Sequence, residues 1–424
     1  MKLLWISNAP WAPSGYGSQT RQAGTRIAKA GHELEFVAND GTRGDQQWNG
    51  LLVRGSSGTD RYSRDSIRED VERSRADWVI SLYDAWVYTA GMRDPFEGLP
   101  HVAGWVPVDH FPAPQSLYPW LSNGHTAIAM SRFGYDRLTE LSEAFGTIGR
   151  QPFPVRYAPH AVDDVFRPVP TDFRDAIEVP ADAFLVGIVA ANTDSLTYDR
   201  KGFGDMAAAL SVFMGRHSDA QVYLHTLQRN FQSIDLPALL QFKQVPVDRI
   251  RWADQYSLKK HSITDEHMAQ IYSSLDLLLA TSRGEGFGLP VIEAQACGVP
   301  VIASNWTAQA ELVGDTWTPN DLGSQEHPSG WLVGVDPDYD GKQGADWGKP
   351  RIASIIGALE AAYADWTAGR WEARRQAAVA KAAPYRADVV FDTYWRPILA
   401  DMEAQLRPPN RATRRATRKV KAAV

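Results

Sequence analysis

The chain has 424 residues, 44% of them hydrophobic and 22% charged, which allows two or three folded domains with ordinary cores and excludes a chain too polar to fold. No run approaches the roughly 20 apolar residues that span a bilayer, and the lone cysteine, Cys297, excludes an internal disulfide and fits a reducing, cytoplasmic setting. The net charge of −6 is unevenly spread: seven Arg or Lys and no acid lie from Arg407 onward, and removing them leaves −13, which argues against a nucleic-acid footprint over the body.

The opening MKLLWISNAPW lacks the length and cleavage site of a secretory signal and reads as a first strand. Further strands are predicted at Glu33–Ala38, Trp78–Leu82, His101–Val106 and Thr126–Ala129. A second series follows at Leu185–Ala190, Gln221–His225, Arg249–Trp252, Leu275–Ala280 and Pro300–Ala303. Helix-period segments such as Ser18–Ala30 and Phe203–Arg216 lie between them, an alternation that implies parallel sheets with crossover helices. Two such series predict an α/β chain of two doubly wound, Rossmann-like domains. Pro159–Pro180, with four prolines, marks the boundary, so we expect domains over 1–165 and 166–384. Helices are predicted at Ile352–Trp366 and Glu372–Ala382. A long terminal helix over 385–406 is expected to return to the first domain, and 407–424 reads as a basic, disordered tail.

The densest local pattern is Ser282–Ser304, SRGEGFGLPVIEAQACGVPVIAS. Gly284, Gly286 and Gly288 make a turn whose backbone can approach a ligand. Pro290 stands where a helix begins and Gly298 where it ends, so the helix directs its free N–H groups to the mouth of the sheet, a ready anion site. Two carboxylates flank that site, Glu285 in the loop and Glu293 in the helix. Each can accept two sugar hydroxyls at once.

This segment resembles the signature of family 4 (group 1) retaining glycosyltransferases, E-G-F-G-L-P-x-x-E-A-x-A-x-G-x-P-V, and keeps every letter of it. The resemblance is dense over roughly residues 155–335 and thinner before residue 150. It implies the GT-B architecture, two facing Rossmann-like domains with a C-terminal helical extension and a nucleotide-sugar donor in the cleft. It also implies that Glu293 binds the ribose, that Glu285 positions the donor sugar, and that the backbones of Gly286, Phe287, Gly288 and Leu289 contact sugar and diphosphate. Arg200 and Lys201, in DRKGFGDM, resemble the family's cations for the donor phosphates, although many members carry the Arg earlier, where this chain has Asn192. Gly15 and Gly17, read as a loop before a helix starting near Ser18, resemble the glycine loop that faces the phosphate from the other domain. A dinucleotide fingerprint is discounted there, because several residues separate the strand from the glycines and the third glycine is missing. PHAVDDVFRP resembles the family's interdomain linker, and AMSRF the strand and Ser that end the acceptor-side sheet. Within WVPVDHF, either Asp109 or His110 is expected beside the reactive carbon or the acceptor hydroxyl.

The resemblance implies transfer of a hexose with retention, UDP or GDP as the leaving group, and neither a metal ion nor a cofactor. No D-x-D pair falls in the expected cleft, and no residue stands out as a covalent nucleophile. The acceptor is open: a saccharide, a lipid, a protein or a nucleic-acid base. A non-catalytic nucleotide-sugar-binding protein is the contrasting reading. The basic tail could dock an anionic partner. Trp11 and Trp86 fall in predicted loops, where stacking on a sugar competes with the commoner core or interface role.

Overall fold

The computed structural model describes residues 1–55, 59, 62, 64–84, 86–89, 94–193, 198–315 and 321–407. Two sheets organise them. The first holds β1 (Lys2–Ser7), β2 (Glu33–Ala38), β3 (Gln46–Trp48), β4 (Leu51–Gly55), β5 (Trp78–Ser81), β6 (Val102–Val106), β7 (Thr126–Ala129) and β8 (Val155–Tyr157). Their order across the sheet is β3-β4-β2-β1-β5-β6-β7-β8, parallel except for the β3–β4 pair.

The second sheet holds β9 (Phe184–Val189), β10 (Ala220–His225), β11 (Ile250–Trp252), β12 (Leu277–Ala280), β13 (Val301–Ser304), β14 (Gln325–His327) and β15 (Gly330–Val333). It runs β11-β10-β9-β12-β13-β15-β14, with only β14 antiparallel. A separate hairpin follows, β16 (Val335–Asp340) and β17 (Ala345–Pro350). Central strands such as β1, β5 and β12 are apolar and buried on both faces because helices cover both sides. Each sheet reverses its strand order once, between β1 and β5 and between β9 and β12. Loops leaving the carboxyl ends of those strands part to form a crevice.

Buried side chains from both halves, Phe287, Val291 and Trp395 among them, share one apolar cluster, and each half keeps a second cluster of its own. At its centre the ring of Trp395 packs 5.7 Å from Trp5 and 4.9 Å from Trp105, so most tryptophans here serve packing. The chain end returns to the first sheet. Trp78 Nε1 donates to Met402 O at 3.2 Å, and Arg156 pairs with Asp401 at 2.5 Å.

Several elements depart from the sequence reading. The first helix spans Gly15–Lys29, so Gly15 and Gly17 lie in its first turn and not in a preceding loop. The Ser14 side chain makes this possible by accepting from Gly17 N. The terminal helix begins at Ala387, after a 3₁₀ turn at Ala383–Tyr385. It widens to a π turn over Phe391–Trp395 just before Pro397, which has no N–H to give the preceding turn. Residues 408–424 of the basic tail lie outside the described residues. No helix among the described residues is long and apolar enough to cross a membrane.

Candidate active site

A cleft of about 950 Å³ lies between the carboxyl edges of the two sheets. From the first sheet it is lined by Trp11, Gly15, Tyr16, Asp84 and Asp109, and from the second by Arg200, Lys201, Glu285 and Glu293. Arg200 and Lys201 end the loop after β9, and Glu285 lies in the loop after β12, so the strand reversal brings the three together. Lys201 Nζ sits 2.5 Å from one Glu285 oxygen and Arg200 Nη1 3.0 Å from the other. Arg200 Nη1 also donates to Gly284 O at 2.8 Å. Burial alone would push the Glu285 carboxyl up, but Lys201 and Arg200 hold it at about 2. Burial and the neighbouring Arg200 pull Lys201 down against the attraction of Glu285.

The sequence places these cations at a helix start, but that helix end is already filled. The Asp199 carboxylate accepts from Phe203 N at 3.0 Å and from Gly204 N at 2.8 Å. Those two N–H groups are therefore not available to a ligand beside Arg200 and Lys201. The helix Leu289–Ala296 is different: Gly288, at φ +107°, carries no capping side chain, and its N-terminal turn lines the cleft. Asn192 is not a second cation site in disguise. Its amide is buried and ties down Leu227 O and Ile234 O at 2.9 and 2.8 Å.

Glu293 faces the cleft from that helix, with Tyr272 Oη donating to it at 2.9 Å. Burial raises its carboxyl to about 7 despite this hydrogen bond. Glycines let the 284–288 loop touch the other half of the molecule. A Cβ on Gly284 would stand 2.1 Å from Asp109 O and 2.7 Å from the Trp347 ring, and one on Gly286 would stand 2.5 Å from Pro107. Gly15 sits against Leu289 in the same way, at 3.0 Å for a built Cβ. Phe287 and Gly288 complete the lining on that side.

Asp109 and His110 part company. Asp109 lines the cleft, whereas His110 is buried away from it, its Nδ1 2.8 Å from Pro112 O and its ring 5.1 Å from Trp347. Trp347 belongs to the β16–β17 hairpin, which reaches across to pair Phe111 with Asp346. Of the two tryptophans read as loop residues, Trp11 lines the cleft, whereas Trp86 opens the short helix Trp86–Thr89 and packs on Tyr62.

Three further cleft residues escape the sequence reading. Asp84 lies in the loop three residues after β5, at the strand reversal of the first sheet, and accepts from Tyr16 Oη at 3.0 Å. Burial, and then the Asp109 charge, raise its carboxyl to about 6. An acid just past a buried apolar strand, in SLYD, is the signal that could have found it. His160, in the linker, is the third. Away from the cleft, Glu311 of the second half caps a helix of the first, accepting from Arg132 N at 2.8 Å and Phe133 N at 3.3 Å.

Comparison with known proteins agrees with this layout. Residues 238–333 match the model of the glycosyl transferases group 1 family. Over 63 residues the chain is 43% identical to the O-antigen chain mannosyltransferase B of Escherichia coli, covering 14% of this chain and 16% of that protein. Over 76 residues it is 37% identical to a D-inositol 3-phosphate glycosyltransferase of Paenarthrobacter aurescens, 18% of each chain. The chain thus spans less than a fifth of the length of these curated relatives. Among solved structures, sucrose-phosphate synthase of Thermosynechococcus elongatus matches 95% of this chain and all of its own, with a TM-score of 0.67 at 17% identity. The Anabaena protein HepE in complex with UDP and glucose matches 95% of this chain, with a TM-score of 0.64 at 14% identity and full coverage of its own. Residues 238–333 carry a group 1 glycosyl transferase domain, in a chain whose fold is GT-B.

Proposed function

We propose that this protein is a glycosyltransferase that binds a nucleotide-sugar donor in the cleft and passes the sugar to an acceptor hydroxyl. One observation carries the reading. Two cations and two carboxylates with opposed environments converge on the free helix end at the strand reversal, inside a cleft large enough for a nucleotide sugar. In this reading the ribose diol hydrogen-bonds Glu293, and the diphosphate takes Arg200, Lys201 and the N–H groups at Gly288 and Leu289. Glu285, released from part of its ion pairing, accepts hydroxyls of the sugar. As the bond from the anomeric carbon to the diphosphate oxygen breaks, the pair of electrons stays with the phosphate. Fixed positive charge stabilises it there without a metal ion or cofactor. The acceptor oxygen bonds the anomeric carbon and gives up its proton to a carboxylate of the first half, Asp109 or Asp84, both of which line the cleft.

The group 1 match and the names of the relatives support this reading, as does an Anabaena structure that holds UDP and glucose. Retention of configuration and a UDP or GDP leaving group belong to the proposal on the strength of the motif, and a cytoplasmic setting on that of the lone cysteine. The test is to incubate the protein with UDP- and GDP-linked hexoses and follow release of the nucleoside diphosphate. Release that Glu285→Gln abolishes supports transferase chemistry. Tight donor binding with no release, in the presence of a broad acceptor mixture, would favour a non-catalytic binding protein.

A further inference from the structure

His160 is 4% exposed, lines the cleft, and has no hydrogen-bond partner on either ring nitrogen among the described residues. Buried polar groups are nearly always satisfied, so one that is not asks for a partner from outside the fold. The ring is held in place without hydrogen bonds. Trp105 meets it edge-on at 4.6 Å, and Phe287 lies tilted at 5.2 Å. The backbone on either side is pinned. Ala158 O accepts from Trp105 Nε1 at 2.8 Å, and the Gln19 side chain bonds both the N–H and the carbonyl of Ala161, at 2.8 and 2.7 Å. The Trp105 donor is therefore committed elsewhere, and the imidazole cannot swing away to find another group.

Burial keeps this imidazole neutral, at about 3. A neutral imidazole offers one N–H donor and one acceptor nitrogen; a hydroxyl can use either, whereas a fully ionised phosphate can use only the N–H. The phosphate-type charge in the cleft sits on Arg200 and Lys201, against Glu285. His160 instead touches Phe287, in the loop segment whose glycines line the cleft.

We propose that His160 hydrogen-bonds a hydroxyl of the sugar in a bound nucleotide sugar, and so lets the cleft prefer a nucleotide sugar over the bare nucleoside diphosphate. This rests on the donor reading above. It is tested by calorimetric titration of the wild type, His160→Phe and His160→Gln with UDP, GDP, UDP-glucose and GDP-mannose. Melting temperatures of each variant, measured alongside, show that the fold is kept. The expected result is that His160→Phe weakens binding of the nucleotide sugar by about 10- to 100-fold, the scale set by stranding one buried polar group, while binding of the matching nucleoside diphosphate is unchanged. His160→Gln, which keeps a donor and an acceptor, should recover part of the loss. If the wild type binds a nucleotide sugar and His160→Phe binds it equally well, the proposal is overturned and the donor reading stands. If His160→Phe weakens both ligands alike, the ring merely supports the loop, and the proposal is again overturned. If the wild type binds none of the four, the donor reading fails and takes this proposal with it.

Discussion

Replacing Glu285 with Gln should destabilise the free protein, and a nucleoside diphosphate should restore part of the loss. Glu285 is the shared counter-ion of Lys201, at 2.5 Å, and Arg200, at 3.0 Å, and its side chain is only 14% exposed. Burial disfavours its charge, yet the two cations hold the carboxyl at about 2, against an ordinary 4.5. At about 1.4 kcal/mol per pH unit, that gap is worth roughly 3 kcal/mol of folding free energy at neutral pH. The folded-state value lies below the unfolded one, so this contribution is present above about pH 4.5 and is lost as the pH falls toward about 2. Glu285→Gln removes it and leaves two cations facing each other. For a domain of this size, roughly 3 kcal/mol lowers the melting temperature by about 6–12 °C. Scanning calorimetry at neutral pH, with and without UDP or GDP, reads the effect. A bound diphosphate supplies the missing negative charge, so it should raise the melting temperature of the variant more than that of the wild type. The reasoning is refuted if the variant melts with the wild type at neutral pH. It is equally refuted if the deficit fails to shrink between about pH 5 and about pH 3, where Glu285 begins to protonate in the unfolded chain.

Gly284→Ala should abolish turnover while each half stays folded, because the new Cβ would sit 2.1 Å from Asp109 O; scattering should show a more open molecule, and an unchanged profile with full activity would contradict this. Donor affinity should rise as the pH increases through about 7, where Glu293 ionises and becomes a full acceptor for the ribose. Tyr272→Phe removes a hydrogen bond to the charged form, so it should move that midpoint upward, and a flat pH profile of the dissociation constant would count against Glu293 as the ribose ligand. Glu311→Ala should cost about 1–2 kcal/mol by freeing the first two N–H groups of the helix Arg132–Thr147, whose Ser131 cap stays in place, and should speed proteolysis of the 163–172 linker; equal cleavage rates would remove Glu311 as a contact that holds the halves together.

What the sequence made legible was local. The segment 282–304 could be read because glycine, proline and glutamate act there within one turn and one helix, and the central strands because double burial leaves a continuous apolar run. Polar edges escaped, since β3, β14 and the VDPDYD strand of the hairpin carry little apolar signal, and so did two short apolar strands inside the sheets, β4 and β15. Gly15 and Gly17 read as a loop because two glycines outweighed a serine cap, whose effect depends on the side chain folding back. Asp199 at a helix end, Asp84 beside Tyr16 and unpartnered His160 depend on which strands become neighbours, and no short window of sequence encodes that. That Asp109 lines the cleft while the His110 ring packs on Trp347 of the hairpin is likewise a matter of which elements become neighbours.

The most direct test of the account is the binding and slow hydrolysis of a nucleotide-sugar panel by the purified protein, beside Glu293→Ala and Lys201→Ala. One donor should bind and be hydrolysed, Glu293→Ala should lose the nucleoside part of the affinity, and Lys201→Ala should lose the diphosphate part. A protein that binds no donor in a broad panel, or that binds one equally well without Glu293 and Lys201, would contradict it.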